Sequence, residues 1–257
     1  YLLEDTLRYE TPKVVVFNVL AMKYNEPQSE AYNRMSIDGM KMSSSKIGAI
    51  QASMTEEENM LDYIFPILRY HSRWSELSAE DVEYMFHKDK VSHNGYYMRV
   101  DVRPVDGFPE PEKLSDYTLG DKAMEYLDKM RELCEENGIK LVLVKSPSLY
   151  PHWYDEWDEQ IVEYADKYGL DYFNYEKMAD EIGIDYSTDT YDAGLHLNLA
   201  GAEKLSKYFG EYLTENYDLT DYREDPEYAE VYAEKIRFYE EMEAAQYKEL
   251  EEYGAVI

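Results

Sequence analysis

The stretch TLGDKAMEYLDKMRELCEENGIKLVLV, residues 118–144, decides the fold class. Ala123, Tyr126, Leu127, Met130 and Leu133 recur at helical spacing, a Thr118/Asp121 capping pattern opens the segment and Gly138 stops it. The apolar run IKLVLV at 139–144 follows at once. Continuous rather than alternating apolarity marks a strand covered on both faces, as in a parallel sheet. Outward from this unit the pattern repeats. Residues 155–168 place Ile161, Val162 and Ala165 on a helical face, Gly169 stops them, and LDYFNY at 170–175 reads as a second strand. Upstream, KVVVFNVL at 13–20 reads as another strand; downstream, 199–212 reads as another helix. The alternation predicts an α/β fold, a doubly wound or flavodoxin-like parallel sheet joined by right-handed crossovers.

Between the run at 13–20 and the helix at 118 lie roughly a hundred residues, far more than an α/β connection needs. They read as an insertion with its own structure, helix-like at 43–54, 56–70 and 78–86 and β-leaning at 96–102. Leaving the carboxyl end of a strand, it would cap the edge where such sheets bind ligands. From 224 to 253 an acidic segment carries Tyr228, Tyr232, Ile236, Tyr239, Met242 and Leu250 near helical spacing, a long surface helix docking one stripe. The expected division is therefore an α/β core at 1–22 and 118–220, a mostly helical cap at 23–117 and an acidic C-terminal helix within 221–257.

Charge excludes some partners. Asp plus Glu outnumber Lys plus Arg by 55 to 26, and the formal charge of −29 opposes binding to nucleic acid or anionic lipid. With 44% hydrophobic residues and 28 tyrosines the chain has ample surface to bury. Its one cysteine, Cys134, is expected on a buried helix face. The longest apolar run, 14–22, is too short to span a bilayer, and no signal-like segment opens the chain, which starts at Tyr1 in a helix-like stretch and reads as beginning inside a longer protein.

The chemistry concentrates in DTYDAGLHLNLAGAEKLSKYFGEYL, residues 189–213. Asp192 and His196 fall in the loop after the last strand, with Gly194 between them and Asn198 placed to cap the next helix. An imidazole there can take a proton from a hydroxyl if a carboxylate fixes its tautomer. On residue types alone, loop and capping chemistry is the better explanation of the pair.

The block HLNxxGAEK behind an Asp-bearing loop resembles the terminal block of SGNH/GDSL hydrolase-like proteins, notably clostridial envelope members related to D-alanyl-lipoteichoic-acid biosynthesis proteins and polysaccharide O-acetyltransferases. FPILRYHSRWSELS at 65–78, KVSHNGY at 90–96 and LVLVKSPS at 141–148 extend the likeness. The resemblance implies a catalytic acid and base in Asp192 and His196, with Asp189 an alternative orienter because the spacing here is DxxxH rather than DxxH. It implies ester hydrolysis or O-acyl transfer on a cell-envelope glycan or similar small ester, at the outer face of a membrane, with a membrane-bound acyl-transfer partner and an N-terminal anchor. No cofactor and no metal are expected. The family's serine and glycine blocks precede the strand at 13–20 and are absent here, so the sheet is expected to be incomplete at its N-terminal side and the nucleophile to lie outside the chain. The family's third-block Asn is not recognisable in AMKYNE at 21–26.

Other constellations read as structural. Ser146 and Ser148 with His152 and Asp155 form a local Ser/His/Asp set, yet no GxSxG elbow accompanies them and Pro147 and Pro151 point to a rigid rim. Ser43 to Ser45 suit a helix start. His71, His87 and His93 lack metal-ligand spacing, and Asp89 to Gly95 reads as a turn. Tyr150, Trp153, Tyr154 and Trp157 suit either packing or a sugar platform. Lys145 suits either an anion contact or an edge lysine with its head in water.

Overall fold

A computed structural model describes residues 1–27, 29–65, 76, 78–80, 83, 95–107 and 110–256. Three strands, β1 (Val14–Asn18), β2 (Lys140–Lys145) and β3 (Asp171–Asn174), form one open parallel sheet in the order β1-β2-β3. Each falls on an expected apolar run. Only the middle strand needs cover on both sides, and Leu141, Val142, Leu143 and Val144 are all buried while Val16 of the edge strand is exposed. β1 stops short because the side chain of Asn18 accepts the Leu20 N–H at 3.1 Å and turns the chain into a 3-10 segment, Val19–Lys23.

The chain divides into two compact units. The first comprises Tyr1–Asp89, Thr118–Leu143 and Glu163–Asp171. It holds helices α1 (Leu2–Thr6), α2 (Glu30–Ile37), α3 (Ser44–Ser53), α4 (Met60–Ile64) and α5 (Asp121–Glu136). Ile37, Met40, Ala49, Ile50 and Tyr63 form its insertion core. α3 starts as expected, with the Ser43 hydroxyl accepting the Lys46 N–H at 3.1 Å. α5 departs from expectation. Its N-cap is Gly120, and the first-turn N–H groups of Lys122 and Ala123 donate to the Asn25 side-chain carbonyl at 2.9 and 3.3 Å. A Cβ on Gly120 would collide with that same side chain, so the helix start is built around Asn25 rather than around a Thr118/Asp121 pair. Cys134 is buried on this helix, and burial pushes its thiol pKa up.

The second unit comprises Lys90–Tyr117, Val144–Val162 and Tyr172–Ile257. α6 (Asp155–Tyr168) runs across the division; α7 (Ala179–Ile182), α8 (Leu199–Asn216) and α9 (Ala229–Tyr253) belong to this unit. Asn198 caps α8 as expected, accepting the Gly201 N–H at 3.2 Å. α9 docks by only part of its predicted stripe: Tyr239, Met242 and Leu250 pack on Met98, Val100 and Leu199, whereas Tyr228, Tyr232 and Ile236 are exposed. The β-leaning 96–102 forms no strand. Its polar groups go elsewhere, Val100 N–H to the Gln246 side chain at 3.1 Å and Arg99 C=O to the Leu199 N–H at 2.7 Å. Most of the helix-like 78–86, the end of 56–70 and most of the likeness at 65–78 and 90–96 lie outside the described residues, as do His71, His87, Asp89 and His93.

Candidate functional site

The site lies on residues 183–198, in the second unit. A scaffold of buried polar groups fixes this loop from below. Thr190 is fully buried; its hydroxyl donates to the His196 C=O at 2.9 Å and accepts the Gly194 N–H at 2.8 Å, so it staples both ends of the reversal. Thr190 and Leu197 form an antiparallel bridge across it. The Asn198 amide, besides capping α8, donates to the carbonyls of Thr188 at 2.8 Å and Asp101 at 3.2 Å.

The reversal needs two consecutive left-handed residues, Ala193 at φ 63° and Gly194 at φ 98°. Gly194 has the looser backbone, and a Cβ there would also press on Leu149 and Val105 at 2.9 Å each. Ala193 holds the same region with a Cβ, a mild strain that its N–H offsets by donating to Arg103 C=O at 3.2 Å. Leu149, just beyond β2, donates its N–H to Gly194 C=O at 2.7 Å, which ties the loop to the carboxyl end of that strand.

This turn brings Asp192 back over His196. One carboxylate oxygen accepts the His196 backbone N–H at 2.7 Å and the other meets the ring Nδ1 at 2.6 Å. A carboxylate can only accept, so Nδ1 carries the hydrogen and Nε2 is left as the basic nitrogen. The imidazole is 59% exposed. The open choice between two carboxylates is settled by Asp189, which is buried, ion-paired with Lys204 at 2.6 Å and bonded to the Asp185 N–H at 2.8 Å. It stabilises the loop; Asp192 orients the ring.

Three residues that sequence reasoning did not connect to the site stand next to it. The Tyr191 ring lies parallel to the imidazole, centroids 5.7 Å apart and planes 9° apart. Burial raises its phenol pKa, with the Asp192 charge adding to the effect. Tyr97 meets Tyr191 edge-on at 6.5 Å, and the Arg99 guanidinium lies over the Tyr191 ring at 5.6 Å. Arg99 is itself held in two parallel bonds by Asp101, at 2.9 and 2.8 Å. That pairing lowers the Asp101 pKa and raises that of Arg99.

No family model matches the chain, and no curated protein and no solved structure matches it.

The remaining candidates assemble differently. Ser148 is buried, and its hydroxyl sits 3.0 Å from that of Ser146 and 3.5 Å from the Lys145 ammonium. His152 packs its ring on Tyr154 and Asp155 pairs with Lys177 at 2.7 Å, so the local Ser/His/Asp set forms no relay. Lys145 is completely buried, bonded to the carbonyls of Ser146 and Ser148 at 2.7 and 2.8 Å and to Glu176 at 2.8 Å. Burial lowers its pKa and Glu176 opposes the shift. The rim aromatics pack on each other edge to face, Trp153 on Trp157 at 5.4 Å and Tyr154 on Trp157 at 4.7 Å, and Trp153 is buried. Such edge-to-face contacts are packing rather than an open platform. Among the described residues no group of His, Cys, Asp and Glu is placed to hold a metal ion, and no helix is long and apolar enough to cross a membrane.

Proposed function

We propose that Asp192 and His196 are the orienting carboxylate and the general base of an SGNH/GDSL-type serine hydrolase or O-acyltransferase acting on an ester of a cell-envelope glycan, on a flavodoxin-like sheet. The observation that carries this reading is the 2.6 Å contact between Asp192 and Nδ1 of an imidazole left open to solvent. The carboxylate on Nδ1 fixes the tautomer and leaves Nε2 as the basic nitrogen, which has no hydrogen-bond partner among the described residues. The strand order and the turn at the carboxyl end of β2 support the same fold family. An extracellular setting and a membrane-bound acyl partner belong to the same proposal.

In the proposed reaction a serine Oγ attacks the ester carbonyl carbon and its proton passes to His196 Nε2. The ester C–O bond breaks, and the leaving oxygen takes that proton back. Water or an acceptor hydroxyl then repeats the exchange and frees the acyl group. Asp192 stabilises the imidazolium at each stage. In our reading the serine is supplied by a segment outside these 257 residues; of the serines near the end of β2, Ser146 and Ser148 are engaged around Lys145.

A serine-directed fluorophosphonate tests this. A protein extended upstream of Tyr1 labels, and His196→Ala slows labelling by about 100-fold or more, the usual worth of a general base. The 257-residue chain does not label and hydrolyses p-nitrophenyl acetate no faster than its own His196→Ala variant. Labelling of the short chain would instead make Ser146 or Ser148 the nucleophile. Absence of labelling in both forms would leave a non-catalytic glycan-binding module on the same fold.

A further inference from the structure

Within the first unit, residues of α1, α2, α3 and α5 line a cavity of about 1000 Å³. Folded interiors are close-packed and hold few voids larger than a water molecule, whereas this space is at the upper end of the range for small-molecule sites. Its walls are fixed from behind. The Asn33 side chain of α2 donates to the Ser53 C=O at the end of α3 at 2.7 Å. Ile37 and Ala49 line the cavity and belong at the same time to the core of Ile50 and Tyr63. Gly48 lets the Tyr1 ring lie against α3, where a Cβ would meet it at 2.5 Å, and Tyr1 meets Tyr126 of α5 edge-on at 6.3 Å. The side chains that α3 contributes to the lining, Ala49, Ala52 and Ser53, are all small. Leu2, Met130 and Leu133 on the other walls do not fill the room they leave.

The polar groups of the wall are already engaged. Asn33 is spent on the Ser53 carbonyl, and the Ser53 hydroxyl donates to Ala49 C=O at 2.7 Å. The lining presents mostly carbon, and part of it stands in water, with Leu2 50% and Tyr32 70% exposed. Charge then separates the classes of apolar ligand. Glu4, Glu132 and Glu136 line the space against Lys129, whose ammonium is shared with Glu125 at 2.5 Å. An anionic head group would face three carboxylates and one ammonium that is already paired. A cationic head group gains little, because Glu132 is paired with Arg131 at 3.1 Å and Glu136 is exposed, where water weakens an ion pair. Burial of apolar surface is what remains to drive binding.

We propose that this cavity is a binding site for an uncharged aliphatic molecule, its alkyl chain against Ala49 and Ala52 and its polar end at the mouth beside Tyr32. Every lining residue belongs to the first unit, so the inference does not depend on the reading of His196.

The test titrates the 257-residue chain with 1-N-phenylnaphthylamine, an uncharged dye that brightens in apolar surroundings, and displaces the dye with octanol, octanoate and octylammonium. The dye binds with a Kd on the order of 10 μM. Octanol displaces it, octanoate does so about tenfold less well, and octylammonium no better than octanol. Ala52→Trp fills the space and weakens dye binding about tenfold or more, and Tyr32→Ala weakens it about threefold. Met35→Ala, on the same helix as Tyr32 but 83% exposed and outside the lining, leaves it unchanged. Tyr32 and Met35 are exposed, so their variants fold and decide the matter even where Ala52→Trp does not. Absence of dye binding, better displacement by either ion than by octanol, or equal affinities of Tyr32→Ala and Met35→Ala overturns the site. Dimerisation of the unliganded chain that Ala52→Trp abolishes would assign the cavity to a second copy. Failure of a protein extended upstream of Tyr1 to take up the dye would assign it to the preceding segment, and either result overturns the ligand site as well.

Discussion

Two loops of the second unit leave the sheet within reach of each other, and they treat their charged groups in opposite ways. Around the loop after β2, from the strand's last residue into the first turn of α6, the buried charged groups Lys145 and Asp158 are closed off. Lys145 spends its three donors on two carbonyls and Glu176. Asp158 is buried and accepts from Trp153 at 3.2 Å, Asn174 at 2.8 Å, Lys177 at 2.8 Å and the Tyr172 hydroxyl. In the loop after β3 the buried groups are equally well matched, yet one pair at the tip is left half in water. Among the described residues the His196 ring has one hydrogen-bond partner, Asp192 at Nδ1. The first loop carries more of the residue types that look catalytic in sequence, Ser146, Ser148, His152 and Asp155, and uses them for structure. Full satisfaction of a polar cluster rigidifies a fold; incomplete satisfaction in a well-supported frame leaves a group able to do chemistry.

If this contrast holds, the largest loss of stability comes from the closed loop. Asp158→Ala removes one acceptor from four donors and leaves the buried Trp153 indole N–H and the half-buried Tyr172 and Asn174 without that partner. We expect a loss of about 3–5 kcal/mol in denaturant unfolding, the range for breaking a buried charged network. The pH dependence has a definite sign. Burial alone would raise the Asp158 pKa, but the bonds from Lys177, Tyr172 and Asn174 outweigh it and hold it below its ordinary 3.8. A carboxylate depressed in the folded state contributes stability above its unfolded pKa and loses it as pH falls through the folded one. The difference between the wild type and Asp158→Ala should therefore be constant near neutrality and shrink below pH 3.8. A difference that grows on acidification would break the account.

Lys145→Met and Asn198→Ala rank next, one in each loop, at about 2 kcal/mol each. The first leaves two loop carbonyls without a donor, although Glu176 is partly exposed and can be hydrated. The second removes a helix cap and two donor bonds to carbonyls of a buried frame. Equal costs would show that the two loops have equally closed bases and differ only at the tip. An Asn198→Ala cost under about 0.5 kcal/mol, a surface-like value, would mean that the second loop is loose throughout.

What the sequence made legible follows the range of the interactions involved. Parallel strands announce themselves through unbroken apolar runs, and all three lie within two residues of those at 13–20, 139–144 and 170–175. α6 and the Asn198 cap depend on neighbours a few residues away and were readable for the same reason. The cap of α5 comes from Asn25, 97 residues from Lys122, and nothing near position 120 hints at it. The segment 96–102 has the composition of a strand, but its hydrogen bonds go to a side chain of α9 and to the loop before α8. Asp189 and Asp192 look alike in a string of letters; Lys204, one helix face away, removes the first from consideration. Tyr97 and Arg99 reach Tyr191, the ring beside His196, across nearly a hundred positions, so these neighbours were invisible in the sequence even though the His196 and Asp192 pair was not.

The smallest expected effect is the most discriminating. His196→Ala removes the ring from a position where 59% of it is already in water and where its one charged partner is an exposed-side pair, the kind that contributes between nothing and about 1 kcal/mol. The backbone N–H of residue 196 still donates to Asp192, so the loop keeps the bond that fixes its reversal. What is lost is packing against Tyr191, whose ring would relax into the space. Denaturant midpoints of wild type and His196→Ala should agree to within about 0.5 kcal/mol, as for ordinary surface substitutions. Asp192→Ala should cost more, about 1 kcal/mol, because it also strips the acceptor from that backbone N–H, whereas Asp192→Asn keeps an acceptor there and should fall between the two. A residue maintained for structure would show the opposite order, with the imidazole costly to remove and its carboxylate replaceable. If His196→Ala proves as destabilising as Lys145→Met, the open tip is a structural joint, and the distinction between the two loops disappears.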